Sequence, residues 1–345
     1  MHHCARRLGI VIRRFLRMSM ITALVIFMAP PAAALADAPG PTDYRSSVIA
    51  IDPPTDTIHP SVIGGDSFLL LQVDAGTTVV VYGYQGEQYL RYEGDGTVFE
   101  NQSSPTFALS GSRYGGSLPA GFDEHAPEDW HSVASDGRYA WHDHRIHWMA
   151  NVRPPGKRPG DVVLRSQLRM TVDQIDVKVT VESIWNPAAS RLPVWFGAAG
   201  GFAVALLVGL VRRSRWPEAG LALIAGVATI VGWWQYASLP TSTGPKVVWF
   251  LMPLAATLAT TAMVFIRSML TKAALLTIAG VNLFLWGWLR RDGFTHALLP
   301  NDAPGWFDRA VSAAAIASGP VAAAFGLAAL ALAVVAPARG ATSAT

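Results

Sequence analysis

From residue 194 onward the chain stops resembling a protein dissolved in water. Five apolar stretches follow one another, at 194–211, 217–236, 247–266, 273–289 and 310–336. Each approaches or exceeds the roughly 20 residues needed to cross a bilayer as a helix. Lipid offers the backbone no hydrogen-bond partners, so a spanning segment of this kind must be helical. The sequence therefore predicts an all-α transmembrane bundle of five helices over 194–337, with a short tail at 338–345. Composition agrees: only 15% of residues are charged, against roughly 25% in soluble domains.

Apart from Glu218 at the edge of its stretch, no Asp, Glu, Lys, Arg or His falls in the five, and Asn282 is the one strong amide in a span interior. Ion and proton paths through membranes usually require ionisable groups, so transport is disfavoured. Gly197 and Gly201, four residues apart, predict close helix packing. Pro253 and Pro320 predict kinks that neighbouring helices tolerate. Arg212, Arg213, Arg215, Arg267, Lys272 and Arg339 all fall on one side of the predicted membrane. By the positive-inside rule that side is cytoplasmic and includes the C-terminus. Arg290 and Arg291 are exceptions on the outer side, partly offset by Asp292. Several tryptophans, Trp195, Trp286, Trp288 and Trp306 among them, sit near span ends as an aromatic belt would.

The other end of the chain predicts export. Arg6, Arg7, Arg13, Arg14 and Arg17 precede the apolar stretch 20–28, and Ala34-Leu35-Ala36 supplies a small-x-small cleavage site. This is the layout of a signal peptide over 1–36; an uncleaved anchor is the other reading. The single cysteine, Cys4, lies before the apolar stretch. A cleaved product would carry no thiol, which excludes a disulfide framework and a thiolate metal site.

Between these hydrophobic ends, residues 42–188 predict a β-rich extracytoplasmic domain. Apolar and β-branched runs are cut by Gly, Pro and Asp, with hairpins expected around 74–76 and 93–96. At 175–182, Ile175, Val177, Val179 and Val181 alternate with polar residues, the mark of one buried and one wet face. A strand is expected over 138–149 and a long irregular loop over 101–129. The predicted fold is an all-β sandwich-like domain of about seven strands, followed by the helical bundle.

The chemistry is concentrated in Trp141-His142-Asp143-His144-Arg145-Ile146-His147-Trp148-Met149, which holds three of the nine histidines. On a strand, His142 and His144 would share a face with Cα atoms about 7 Å apart. His147 would join them only through a bulge or turn near Arg145-Ile146. His125 and His131, on the carboxylate-rich segment 123–131, add two more imidazoles. Neutral imidazole suits copper(II) and zinc, so the candidate metal ligands are His142, His144, His147, His125 and His131. Asp143 or Arg145 would orient a ring, and Met149 or Met170 offers a thioether to copper(I). The alternative is a structural network in which Asp143, Arg145 and His147 bond to one another.

Catalysis by the same patch is the weaker reading. There is no G-x-S-x-G, P-loop, G-x-G-x-x-G or H-E-x-x-H, and Asp123/Glu128 as a glycosidase pair has no motif behind it. A net charge of +3 without a single basic patch excludes nucleic acid as a partner. The segment 141–149, with Gly83-Tyr84-Gln85-Gly86-Glu87-Gln88-Tyr89-Leu90 and Ser135-Asp136-Gly137-Arg138-Tyr139, resembles an uncharacterised family of actinobacterial membrane proteins. The resemblance covers the exported domain best and brings no catalytic residues with it. Asp136-Gly137 ahead of a strand is also similar to copper-resistance sandwich proteins. Two functional readings lead: a membrane-anchored extracytoplasmic module binding copper or zinc, and a non-catalytic envelope scaffold or interaction protein with a structural histidine cluster; a third and weaker one is an enzyme acting on an envelope substrate that no sequence feature names. The expected partners are the lipid bilayer and, for the scaffold, another membrane or envelope protein.

Overall fold

The computed structural model describes residues 39–335 except 112, 121, 124, 125, 151 and 212–215. The signal segment, His125, the first predicted cytoplasmic loop and the C-terminal tail lie outside the described residues. Ten strands come first: β1 (Tyr44–Asp52), β2 (Ile58–Ile63), β3 (Phe68–Val73), β4 (Val79–Tyr82), β5 (Gln88–Tyr92), β6 (Val98–Asn101), β7 (Trp130–Ala134), β8 (Arg138–Trp141), β9 (Val162–Val172) and β10 (Ile175–Trp185). A short helix, α1 (Pro105–Leu109), follows β6. Five long helices complete the chain: α2 (Leu192–Leu210), α3 (Trp216–Ala237), α4 (Val248–Phe265), α5 (Met269–Leu289) and α6 (Gly305–Val335). The fold class is thus an all-β domain followed by a helical bundle.

The strands form two antiparallel sheets, ordered β1-β10-β9-β4-β5-β6-β7 and β2-β3-β8. Leu69, Leu71, Val73, Val81, Leu90, Leu168, Met170, Val179 and Trp141 meet in the core between them. Each fully buried leucine there contributes about 1.5–3 kcal/mol relative to exposure. The β10 alternation read from sequence holds from Val177 on, where Val177, Val179 and Val181 are buried while Asp176 and Lys178 are exposed; Ile175, at the turn, is exposed instead of buried. Asp173 and Gln174 make their turn with positive φ, 44° and 71°, as a tight two-residue hairpin requires. The hairpin around 93–96 is also present, joining β5 to β6.

The hairpin expected around 74–76 is not formed. β3 pairs with β2 and β8, whereas β4 pairs with β5 and β9. The segment after Val73 crosses from one sheet to the other. The reason lies in β3 itself, where Phe68, Leu69, Leu70 and Leu71 are all buried. A strand apolar on both faces needs cover on both sides. Leu69 and Leu71 face the sandwich core, and Phe68 and Leu70 form a second cluster with Ala140. Beside that cluster the Ala140 amide donates to Ser242 Oγ, in the turn Thr241–Thr243 between α3 and α4. Ten strands form where about seven were expected, and β2 and β7 had no counterpart in the sequence reading. The loop expected over 101–129 contains α1, capped where Ser104 Oγ accepts from the Thr106 amide.

All five long helices are long and apolar enough to cross a membrane. The glycine contacts expected in α2 are present. A Cβ at Gly197 would lie 2.0 Å from the Ala310 carbonyl oxygen, and one at Gly201 would lie 2.3 Å from that of Ala314. The backbones of α2 and α6 therefore touch, as small residues permit. Gly201→Leu is expected to destabilise the helical bundle by about 1–3 kcal/mol through overpacking. Thermal unfolding in detergent measures it, and an unchanged midpoint would rule out this contact.

The α6 N-terminus departs from expectation. The helix starts at Gly305, five residues before the predicted stretch, and takes in Asp308, in its first turn, and Arg309 just after it. Both are buried, as is Arg290 at the end of α5. Arg290 pairs with Asp308 and donates to Gln235 and Ser312. One exception to the positive-inside pattern is thereby neutralised by an internal partner.

Candidate metal centre

β8 ends at Trp141, not at 149 as expected from sequence. Asp143 then breaks the strand. Its carboxylate accepts from the Arg145 amide and caps a single 3₁₀ turn, His144–Ile146. The turn is locked from several directions. Asp143 also accepts from Trp141 Nε1 at 3.0 Å and from Arg145 Nε and Nη2 at 2.9 and 2.8 Å. Arg145 Nη1 donates to the Tyr82 carbonyl. Ser46 and Ser166 donate to the carbonyls of Ile146 and Arg145, tying the turn to β1 and β9. Ile146 is fully buried in the sandwich core.

This turn reverses the face that His147 would have on a regular strand. The three imidazoles of His142, His144 and His147 converge, each offering a ring nitrogen within 4.8 Å of the others. The His142 and His147 Nε2 atoms are 3.0 Å apart. Tetrahedral zinc, with Zn–N bonds of about 2.0–2.1 Å, places its nitrogens about 3.3 Å apart. A shift of a few tenths of an ångström therefore fits an ion between them.

The outer nitrogens decide the tautomers. His142 Nδ1 lies 3.0 Å from the Ser67 carbonyl and His147 Nδ1 lies 3.3 Å from that of Trp148. A carbonyl only accepts, so each Nδ1 must carry hydrogen to bond. A neutral ring protonated at Nδ1 has a bare Nε2 lone pair, and two such lone pairs would face each other at 3.0 Å. Turning either ring to the other tautomer moves the conflict to its carbonyl. Two neutral rings cannot satisfy all three contacts; a shared metal ion can.

A shared extra proton is the competing solution, and burial opposes it. His142 and His147 are only 3% and 1% exposed. Desolvation, helped by His144 and the Arg113 guanidinium, lowers the His142 pKa to about 4. Desolvation with His142 and Arg113 lowers that of His147 to about 3. His144 is half-buried, stacked on Tyr84 with ring centroids 5.4 Å apart, and its amide donates to the Tyr84 hydroxyl. Three imidazoles with a fourth position left for water or a further ligand form a set suited to zinc or copper(II).

A pH dependence follows. In the unfolded chain the two rings protonate below their ordinary pKa of 6.5; in the folded protein they do so only near 4 and 3. Between these limits the unfolded chain binds more protons, so stability is full above pH 6.5 and declines as pH falls toward 4. The loss is on the order of a few kcal/mol. Buried Asp66 and Glu100, whose pKa values burial raises, act in the opposite sense. The measurement is therefore the Tm difference between chelated wild type and His142→Gln/His147→Gln. It should shrink from pH 7.5 to 4.5; a constant difference would mean that the rings are not held neutral.

The remaining candidates lie elsewhere or act differently. His131 is exposed on β7, 3.1 Å from Asp129, and does not join the three rings. Met170 belongs to the sandwich core. Asp143 and Arg145 orient the turn, whereas backbone carbonyls orient the rings. The structural network expected among Asp143, Arg145 and His147 reduces to Asp143, Arg145 and Trp141. Met149 and His144 both approach Gly115, where a Cβ would lie 2.8 and 3.9 Å from their terminal carbons. Sequence reasoning missed Ser67, Tyr84 and Arg113 as neighbours of the cluster; they come from segments 25 or more residues away and carry no local signal.

No known family, curated protein or solved structure matches this chain.

Proposed function

We propose that this protein is a membrane-anchored extracytoplasmic module that binds a transition metal, copper or zinc, through His142, His144 and His147. The observation that carries the reading is the pair of Nε2 atoms facing each other with both Nδ1 atoms committed to carbonyls. The orientation is read from the sequence: by the positive-inside rule Arg212, Arg213, Arg215, Arg267, Lys272 and Arg339 would mark the cytoplasmic side, and the β domain would lie on the other. The five helices would hold the module at the membrane.

The second reading, a non-catalytic envelope scaffold, draws on the packing of the same rings. Phe68 meets His142 edge to face at 6.2 Å, and the cluster joins β8 to its neighbours without an ion. Calorimetric titration of the chelator-treated full-length protein in detergent with Zn(II) and Cu(II) separates the two. Saturable binding lost in His142→Ala/His144→Ala supports the metal site. Identical titrations for wild type and variant leave the scaffold.

A further inference from the structure

A second site, independent of the histidines, lies where the β domain meets the helix ends. The Thr42 amide donates to the Leu298 carbonyl, the Leu298 amide returns to that of Thr42, and Asp43 accepts from the Ala297 amide. These bonds dock the start of the β domain onto the loop between α5 and α6. Beside them is a cleft of about 860 Å³, within the range that holds small ligands. Its charged lining residues are three arginines, Arg45, Arg138 and Arg309, and one aspartate, Asp302.

Arg309 is the informative member. It is only 4% exposed. Its Nε and Nη2 donate to the carbonyls of Gly293, His296 and Ala297. Carbonyls fix a guanidinium without neutralising it, and the neighbouring Asp308 is committed to Arg290 and Asn301. Among the described residues no carboxylate pairs with Arg309. Among the described residues no hydrogen bond engages its remaining nitrogen, Nη1, which lies over Gly305, where a Cβ would come within 2.6 Å. With the other two nitrogens anchored, only glycine leaves that nitrogen room. A buried cation is costly unless paired, and here the unpaired edge borders an open cleft.

Further features point the same way. The leading amides of α6, at Gly305 and Trp306, border the cleft and have no helical carbonyl partner. Arg45 and Arg138 are exposed across from them. Trp306, also lining the cleft, is 64% exposed at the start of an apolar helix, where a bilayer interface would accommodate an indole.

We propose that this cleft binds the phosphate of an anionic lipid headgroup, with Arg309 as the buried anchor and Arg45 and Arg138 as outer clamps. Arginine matches phosphate geometry and keeps its charge, and the level of the cleft at the helix ends favours a lipid over a free anion.

The test uses full-length protein in detergent. Native mass spectrometry compares retention of phosphatidylglycerol and phosphatidylcholine, and calorimetry titrates inorganic phosphate in parallel. Wild type should retain phosphatidylglycerol preferentially. Arg45→Ala/Arg138→Ala should weaken that retention at least about tenfold, the scale of losing a hydrogen bond to a charged group, with Tm unchanged. Arg309→Gln should abolish it. If Arg309→Gln does not fold, the exposed double variant still decides. Equal retention of both lipids by wild type, or retention unaltered in the double variant, overturns the proposal. Arginine-dependent phosphate binding without a lipid preference also overturns it, assigning the cleft to free phosphate.

Discussion

Chelator-treated wild-type protein is expected to bind one Zn(II) or Cu(II) per chain, and His142→Ala/His147→Ala at least about a hundredfold more weakly. The bound is conservative, because removing even an outer partner of a metal-bound histidine costs about 10–100-fold. Both replaced rings are buried, and both are already fixed by backbone carbonyls. An ion would meet ligands whose rotational freedom was lost on folding, so little ordering cost remains at binding. The geometry also ranks the ligands. His142 and His147 carry the opposed nitrogens, whereas His144 is half-buried and held through Tyr84. His144→Ala alone should therefore weaken binding less than His142→Ala alone, and His131→Ala should leave it unaltered. Binding abolished by His131→Ala but preserved in His142→Ala/His147→Ala would sink the site as drawn.

The second large effect is on folding. Asp143→Ala is expected to destabilise the protein by about 3–5 kcal/mol, the range for removing one member of a buried ion pair. Asp143 is fully buried. Burial alone would raise its pKa, but the Arg145 charge and hydrogen bonds outweigh burial and hold it below the ordinary value. Deleting the carboxylate leaves the half-buried Arg145 guanidinium without its counter-ion and Trp141 Nε1 without an acceptor. It also removes the cap of the turn that brings His147 back toward His142. The same variant should therefore lose metal affinity although Asp143 is not among the three proposed ligands. An Asp143→Leu/Arg145→Met variant should be less destabilised than Asp143→Ala, because no lone charge is left behind. Urea unfolding followed by tryptophan fluorescence measures both. An Asp143→Ala variant within about 0.5 kcal/mol of wild type, the range of ordinary surface changes, would show that the pair does not hold the turn.

The histidine cluster was only partly legible in the sequence. Residue types and proximity marked His142, His144 and His147, but a pleated strand would have put His147 on the opposite face. That outcome depends on Asp143, whose side chain satisfies the backbone better in a turn than in a ladder. The commitment of Asp143 to Arg145 and Trp141 became visible only with the strands in place. His131 shows the converse. It looked equivalent to the others in composition, yet it lies on the edge strand β7, exposed beside Asp129 and away from the three rings.

The helices and strands show where the dividing line falls. The five apolar stretches, the Gly197/Gly201 contact, the alternation along β10 and the hairpin around 93–96 follow from hydrophobic period and backbone sterics. Those quantities are local, and a sequence carries them in full. Which strand pairs with which is not local. Asp74-Ala75-Gly76 can close a hairpin or cross between sheets, and the choice fell to β3, whose two apolar faces both needed cover. Arg290 and Asp308, on different helices, pair because both leave water and each is the other's counter-charge. The convergence of three imidazoles and the unpaired edge of Arg309 belong to the same class: tertiary structure decided them, because each depends on atoms far apart along the chain competing for the same hydrogen bonds and the same buried space.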